Sequence, residues 1–163
     1  RRHTRCSRDW SSDVCSSDLC AQELFAANAA DIAVLTGLHW REMYGNCDGY
    51  SPDFNGVVES EKRGGVAYFT LRTPEGKLAG HFCLMVYRSP FYGKLLAMDI
   101  FYYILPEFRG SLGMCKLLRF AGTTLRSQSV EQVVVSHQEA NNLSPILKRA
   151  GYIRAGETYF YEG

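Results

Sequence analysis

The most regular alternation of apolar and polar positions lies between Leu95 and Leu125. Leu95 to Ile104 is aliphatic or aromatic except for Asp99, the pattern of a central strand covered on both faces. Pro106 ends it. Further on, Met114, Leu117, Leu118, Ala121 and Leu125 recur at the 3-4 spacing of one helical face, with Lys116, Arg119, Thr123 and Arg126 on the other. The turn between strand and helix holds Gly110, Ser111 and Gly113, so it falls where helix amides have no intrahelical partner and the dipole end is positive. Small side chains there leave a nest of anion size.

The flanking segments predict the remaining elements. Ala21 to Tyr44 lacks Pro and is rich in Ala and Leu, which predicts one long helix or two abutting ones, with Leu24, Phe25, Ile32, Leu35 and Leu38 inward. Gly45 to Gly56 is a turn-rich loop before a short helix over Val57 to Lys62. Gly65 to Arg72 and Leu78 to Arg88 form a hairpin around Thr73-Pro74-Glu75-Gly76. After a second turn at Pro90 to Gly93 comes the strand ending at Ile104. Gln132 to His137 is a short buried strand, Ile146 to Ala150 a helix closed by Gly151, and Thr158 to Tyr161 a final strand. The expected class is α+β.

Residues 1–19 do not fit this scheme. Asp9 to Leu19, DWSSDVCSSDL, matches one reading frame of a common sequencing-library adapter, and Arg1 to Arg5 matches its flank, so this segment reads as a non-native, disordered artefact. A natural Ser/Asp/Cys-rich tail is the alternative. Setting it aside leaves 144 of 163 residues as one domain, residues 20–163. It also removes four Arg and three Asp from 18 basic and 17 acidic residues, leaving 14 of each. A zero net charge makes no case for nucleic acid or an anionic membrane. Cys20, Cys47, Cys83 and Cys115 remain, without metal-ligand spacing, as expected of reduced thiols in a cytoplasmic protein without a metal. No apolar run reaches membrane-spanning length.

Strand, Pro106-Glu107-Phe108-Arg109-Gly110, a glycine at 113 and Leu117-Leu118 together resemble the acyl-CoA-binding turn of the GNAT superfamily of N-acyltransferases. In that family the turn reads Arg-x-x-Gly-x-Gly/Ala. Here the six residues are Arg109, Gly110, Ser111, Leu112, Gly113 and Met114, so the fourth and sixth depart from it. Lys148-Arg149-Ala150-Gly151-Tyr152 is similar to the family's Lys-x-Gly-Phe ending, and the element order agrees over nearly all of Ala21 to Glu162. The resemblance implies a mixed, mostly antiparallel central sheet flanked by helices. The strand that usually precedes the first helix looks missing. It further implies that backbone amides near Tyr103, Ile104 and Leu105 take the pantetheine arm of acetyl-CoA, and that Arg109 to Met114 hold its pyrophosphate, with Asn142 as a further contact. Tyr50, Asp53 and Phe54 would then stand either in the acceptor wall or as loop anchors.

Acyl transfer from a thioester to an amine needs a deprotonated amine, a polarised carbonyl and a proton for the leaving thiolate. Asp99 is the first candidate base, because a lone carboxylate in an apolar strand is expensive to bury without a purpose or a partner. A structural pairing is its alternative. His137 closes the next strand and would face the same cleft or sit on its rim; His81 and His39 carry weaker cases. The family's usual proton donor, a Tyr on the last helix, corresponds here to Leu147, so Tyr152, Tyr159, Tyr161 or water would replace it. The expected function is acetyl transfer from acetyl-CoA to a primary amine on a small molecule or peptide. A degenerate GNAT-fold binding or structural module, such as a phage particle component, is the alternative, and a small nucleotide-phosphate binder the third reading.

Overall fold

The computed structural model describes residues 19–109, 112–137 and 143–156. Five strands form one sheet in the order β1-β2-β3-β4-β5: β1 (Cys20–Glu23), β2 (Val66–Arg72), β3 (Leu78–Arg88), β4 (Leu95–Ile104) and β5 (Gln132–Val134). The first four pair antiparallel and β5 joins β4 in parallel. The helices are α1 (Ala29–Tyr44), α2 (Phe54–Lys62), α3 (Pro106–Arg109), α4 (Gly113–Ser127) and α5 (Ser144–Ala150). This is the expected α+β class with a mostly antiparallel sheet flanked by helices.

Two expectations at the front of the chain are corrected. The helix or pair of abutting helices expected over Ala21 to Tyr44 is a strand, a tight turn and then α1, and the strand thought missing is present as β1, in register with Leu71 to Tyr68. The physical reason is cross-strand pairing that local propensity does not register. Glu23 accepts from Thr70 Oγ1 at 2.7 Å and from Arg72 Nε and Nη2 at 2.8 Å each, while Asn28 Nδ2 donates to it at 2.9 Å. Leu19, inside the segment set aside, extends this pairing by accepting from the Arg72 amide at 2.8 Å. Residues 1–18 lie outside the described residues, as does the strand expected at Thr158 to Tyr161.

The sheet has two covered faces. On one, α4 and α5 pack through Leu117, Leu118, Ala121, Leu125 and Leu147 onto Phe69, Phe82, Leu84, Ala97 and Ile104. On the other, α1, α2 and the turn between β1 and α1 cover Tyr68, Cys83, Phe101 and Tyr103 with Phe25, Ile32, Leu35, Val57 and Val58. Asp53 starts α2 by accepting from the Gly56 amide at 2.9 Å, three residues earlier than the apolar pattern suggests. Gly80 lets β3 lie against the end of β4, because a Cβ there would meet Ile104 Cγ1 at 2.5 Å.

Candidate active site

Strands β4 and β5 are partners over only three registers: Leu96 with Gln132, Ala97 with Val133 and Met98 with Val134. Beyond Met98 side chains replace the backbone ladder. Asp99 Oδ1 accepts from the Ser136 amide at 2.8 Å and its hydroxyl at 3.0 Å, Oδ2 lies 2.9 Å from the same hydroxyl, and Tyr102 donates to the Ser136 carbonyl at 2.9 Å. The backbone ladder between the two strands ends at that point. Burial raises the Asp99 carboxyl above its ordinary range, and the bonds from Ser136 oppose the shift. At the same place β4 carries a bulge: Leu84 faces Asp99 and Cys83 faces Phe101, which leaves Ile100 with no partner on β3.

Past the bulge, backbone groups of β4 alternate between β3 and the open side. The Leu105 amide donates to Ala79 at 3.0 Å, and the register of His81 with Tyr103 turns the Tyr103 amide toward β3 as well. Of the three amides expected to serve a ligand, only that of Ile104 faces away from β3, with Tyr102 before it. The Ile104 carbonyl accepts from Arg109 Nε at 2.9 Å.

The Arg109 side chain is turned from the glycine turn onto α1. Its guanidinium forms a two-pronged pair with Glu42, Nη2 to Oε2 being 2.6 Å, and lies 5.0 Å from the centre of the Tyr103 ring. That pair holds the Glu42 carboxyl below its ordinary value. His39 stacks on the same ring with centroids 5.3 Å apart. For an anion, therefore, this region offers the start of α4 in place of the Arg109 charge. The cap residue Leu112 makes no side-chain cap bond and is exposed, the first turn of α4 has no acidic residue, and Gly113 and Met114 are buried. Such an end is electropositive. Gly110, Ser111 and Asn142 lie outside the described residues.

The fold occurs in solved structures. An aminoglycoside acetyltransferase from an uncultured soil metagenomic sample, in complex with sisomicin, matches over 90% of this chain and 97% of its own, with a TM-score of 0.70 and 15% identity. Glucosamine-6-phosphate N-acetyltransferase from Arabidopsis thaliana matches over 88% and 96%, at 0.68 and 12%. Ribosomal-protein-alanine N-acetyltransferase from Brucella melitensis biovar Abortus 2308 matches over 88% and 99%, at 0.63 and 14%. The fold is the GNAT fold. No protein-family model and no curated protein sequence matches the chain.

Within the GNAT fold the other anticipated residues divide. His137 is exposed just past β5, one residue from the Asp99 partner Ser136, with Nε2 2.9 Å from Ser144 Oγ at the start of α5. Tyr152 is elsewhere: its hydroxyl donates to the Leu118 carbonyl at 3.1 Å in the seam between α4 and α5, and burial pushes its phenol up to about 12. Tyr50 binds Thr36 and the Ala33 carbonyl, Asp53 caps α2 and Phe54 packs 5.6 Å from Phe25, so all three anchor the loop. His81 is fully buried on β3, its Nδ1 3.4 Å from the Tyr68 hydroxyl and its Nε2 without a hydrogen-bond partner. Desolvation pushes it down to about 3, so it is neutral near neutral pH. Ser136, Tyr102 and Glu42 were not anticipated, because each acts through a partner 34 or more residues away.

Proposed function

We propose that the protein is an acyl-CoA-dependent N-acyltransferase that moves an acetyl group from acetyl-CoA to a primary amine by direct transfer. One observation carries the reading: the ladder between β4 and β5 ends beside a bulge, and β4 leads on to a helix whose first turn holds no acidic residue. The residues present suit acetyl-CoA. The outward-facing backbone of Tyr102 and Ile104 would pair with the amide-bearing arm, in the manner of an added strand, and the first amides of α4 would hold the diphosphate. When bound, acetyl-CoA supplies an activated acyl group on a good leaving thiolate.

The chain's own residues would do the rest. The backbone groups freed at Ile100 stand where a carbonyl would be polarised. Asp99, beside the bulge, takes two hydrogens from Ser136, the amide's and a hydroxyl's shared between its two oxygens, and its remaining lone pairs would accept from a water that takes the amine proton. The amine nitrogen bonds to the carbonyl carbon, the carbon–sulfur bond breaks, and the thiolate takes a proton from solvent or from the His137 and Ser144 pair. Tyr152 has no part in this step.

A melt with and without acetyl-CoA tests the reading. Ligand at about a hundred times its dissociation constant should add about 2.7 kcal/mol, or roughly 5 to 10 °C for a domain of this size. A melt that does not move overturns it. The commitments of Arg109 and Tyr152 favour a second reading, a GNAT-fold module that binds the coenzyme without turnover. A shift in melting with no thiol released in the presence of amines would select that one.

A further inference from the structure

Across the face that carries α1 and α2, four apolar side chains stand in register on four neighbouring strands: Val66 beside Met85, Met85 beside Met98 and Met98 beside Val134. Val66 packs with Val57 and Val58 of α2, and the strip is more open beyond it. Met85 is 40% exposed, Met98 36%, Val134 36% and Ile100, at the bulge, 43%. With strands about 4.8 Å apart, the strip is roughly 14 Å across. Isolated exposed apolar residues are ordinary, but a contiguous strip that reaches a bulge and the end of a backbone ladder is a binding floor.

The charges around it decide what it takes. Among the described residues, the carboxylates on the bordering elements have partners: Asp99, next to Met98, is held by Ser136. Glu61 accepts from the Phe25 amide at 2.5 Å and the Ala26 amide at 3.1 Å, Glu59 pairs with Lys62 at 2.6 Å, Glu131 with Lys94 at 3.4 Å, and Glu23 with Arg72 at 2.8 Å. A polycation would find no unpaired anion among them, and a sugar or phosphate body would lose its hydration against two thioethers, a Val and an Ile without replacement bonds. An aromatic or aliphatic body gains from the same contact, since methionine side chains adapt their shape and sulfur lies favourably against rings.

We propose that this strip seats the body of the acyl acceptor, and that the acceptor is a primary amine on an uncharged aromatic or aliphatic skeleton rather than a polyamine, an aminoglycoside or a sugar phosphate. The proposal rests on the acyltransferase reading, because the bulge at Ile100 then places the reacting carbonyl at the end of the strip.

The four methionines provide the test. Met85 and Met98 lie on the strip, Met114 lies in the first turn of α4, and Met43 lies at the far end of α1. With the full chain labelled at its methionine methyl carbons, free CoA should move the Met114 signal. Tryptamine added next should move Met85 and Met98 saturably and leave Met43 in place, while spermidine at the same concentration moves neither. Met98→Lys should weaken the tryptamine response by at least about tenfold and leave the Met114 response to CoA intact. Equal responses to the two amines, or a tryptamine titration to which Met85 and Met98 are silent, overturn the acceptor class. A silent Met114 overturns the acyltransferase reading instead, and with it the assignment of the strip as an acceptor site.

Discussion

Leu112→Asp separates the helix from the ligand at the start of α4. Leu112 is the cap residue, it is 49% exposed, and its side chain makes no cap bond. An aspartate there can accept from the amides of the first turn, which stabilises a helix by about 1 kcal/mol and should raise Tm by roughly 2 to 4 °C in a domain of this size. The same carboxylate would stand on the order of 5 Å from a diphosphate held by those amides. The repulsion is about 0.8 kcal/mol per charge pair in a water-like dielectric and about 3 kcal/mol at an effective dielectric of 20. CoA affinity should therefore fall by about 4-fold to about 200-fold, and less so as salt rises. Leu112→Asn is the control: it caps without the charge, so it competes for the same amides but should lower affinity less than Leu112→Asp and without the salt dependence. Melts and calorimetric titrations with CoA at low and high salt read both effects. A Leu112→Asp protein that is stabilised and binds CoA as before would refute the placement of the diphosphate, and one that is destabilised would refute the cap geometry.

Two further outcomes follow from buried polar groups. Tyr152→Phe removes the bond to the Leu118 carbonyl and should cost about 0.5 to 1.5 kcal/mol in a urea melt, with kcat for acetyl transfer unchanged; a hundredfold fall in kcat would return Tyr152 to the chemistry. His81 sits well below its unfolded value of about 6.5, at about 3, so only the unfolded chain takes up its proton between those values. Its contribution is complete above pH 6.5 and is lost as pH falls toward 3, at about 1.4 kcal/mol per pH unit. His81→Leu should flatten that acid limb in melts at pH 7, 5.5 and 4, and an unchanged pH dependence would place the proton uptake elsewhere.

Much of this protein follows from local pattern. The apolar run of β4 with its lone Asp99, the amphipathic α4, the Pro-Glu-Gly turn between β2 and β3 and the closure of α5 by Gly151 are set by side-chain periodicity and backbone stereochemistry within a few residues, so each was legible along the chain. The GNAT architecture was legible for the same reason, since the order of such elements restricts how they pack. What the tertiary structure decided are the pairings between distant residues. β1 exists because Arg72 and Thr70 wait for Glu23 across the sheet, although Ala-Gln-Glu favours a helix by itself. Asp99 is held by Ser136, Arg109 by Glu42 and Tyr152 by Leu118, and none of these choices leaves a trace in spacing. The Ile100 bulge and the row of apolar residues from Val66 to Val134 are facts of register, and register is settled only when strands from four parts of the chain lie side by side.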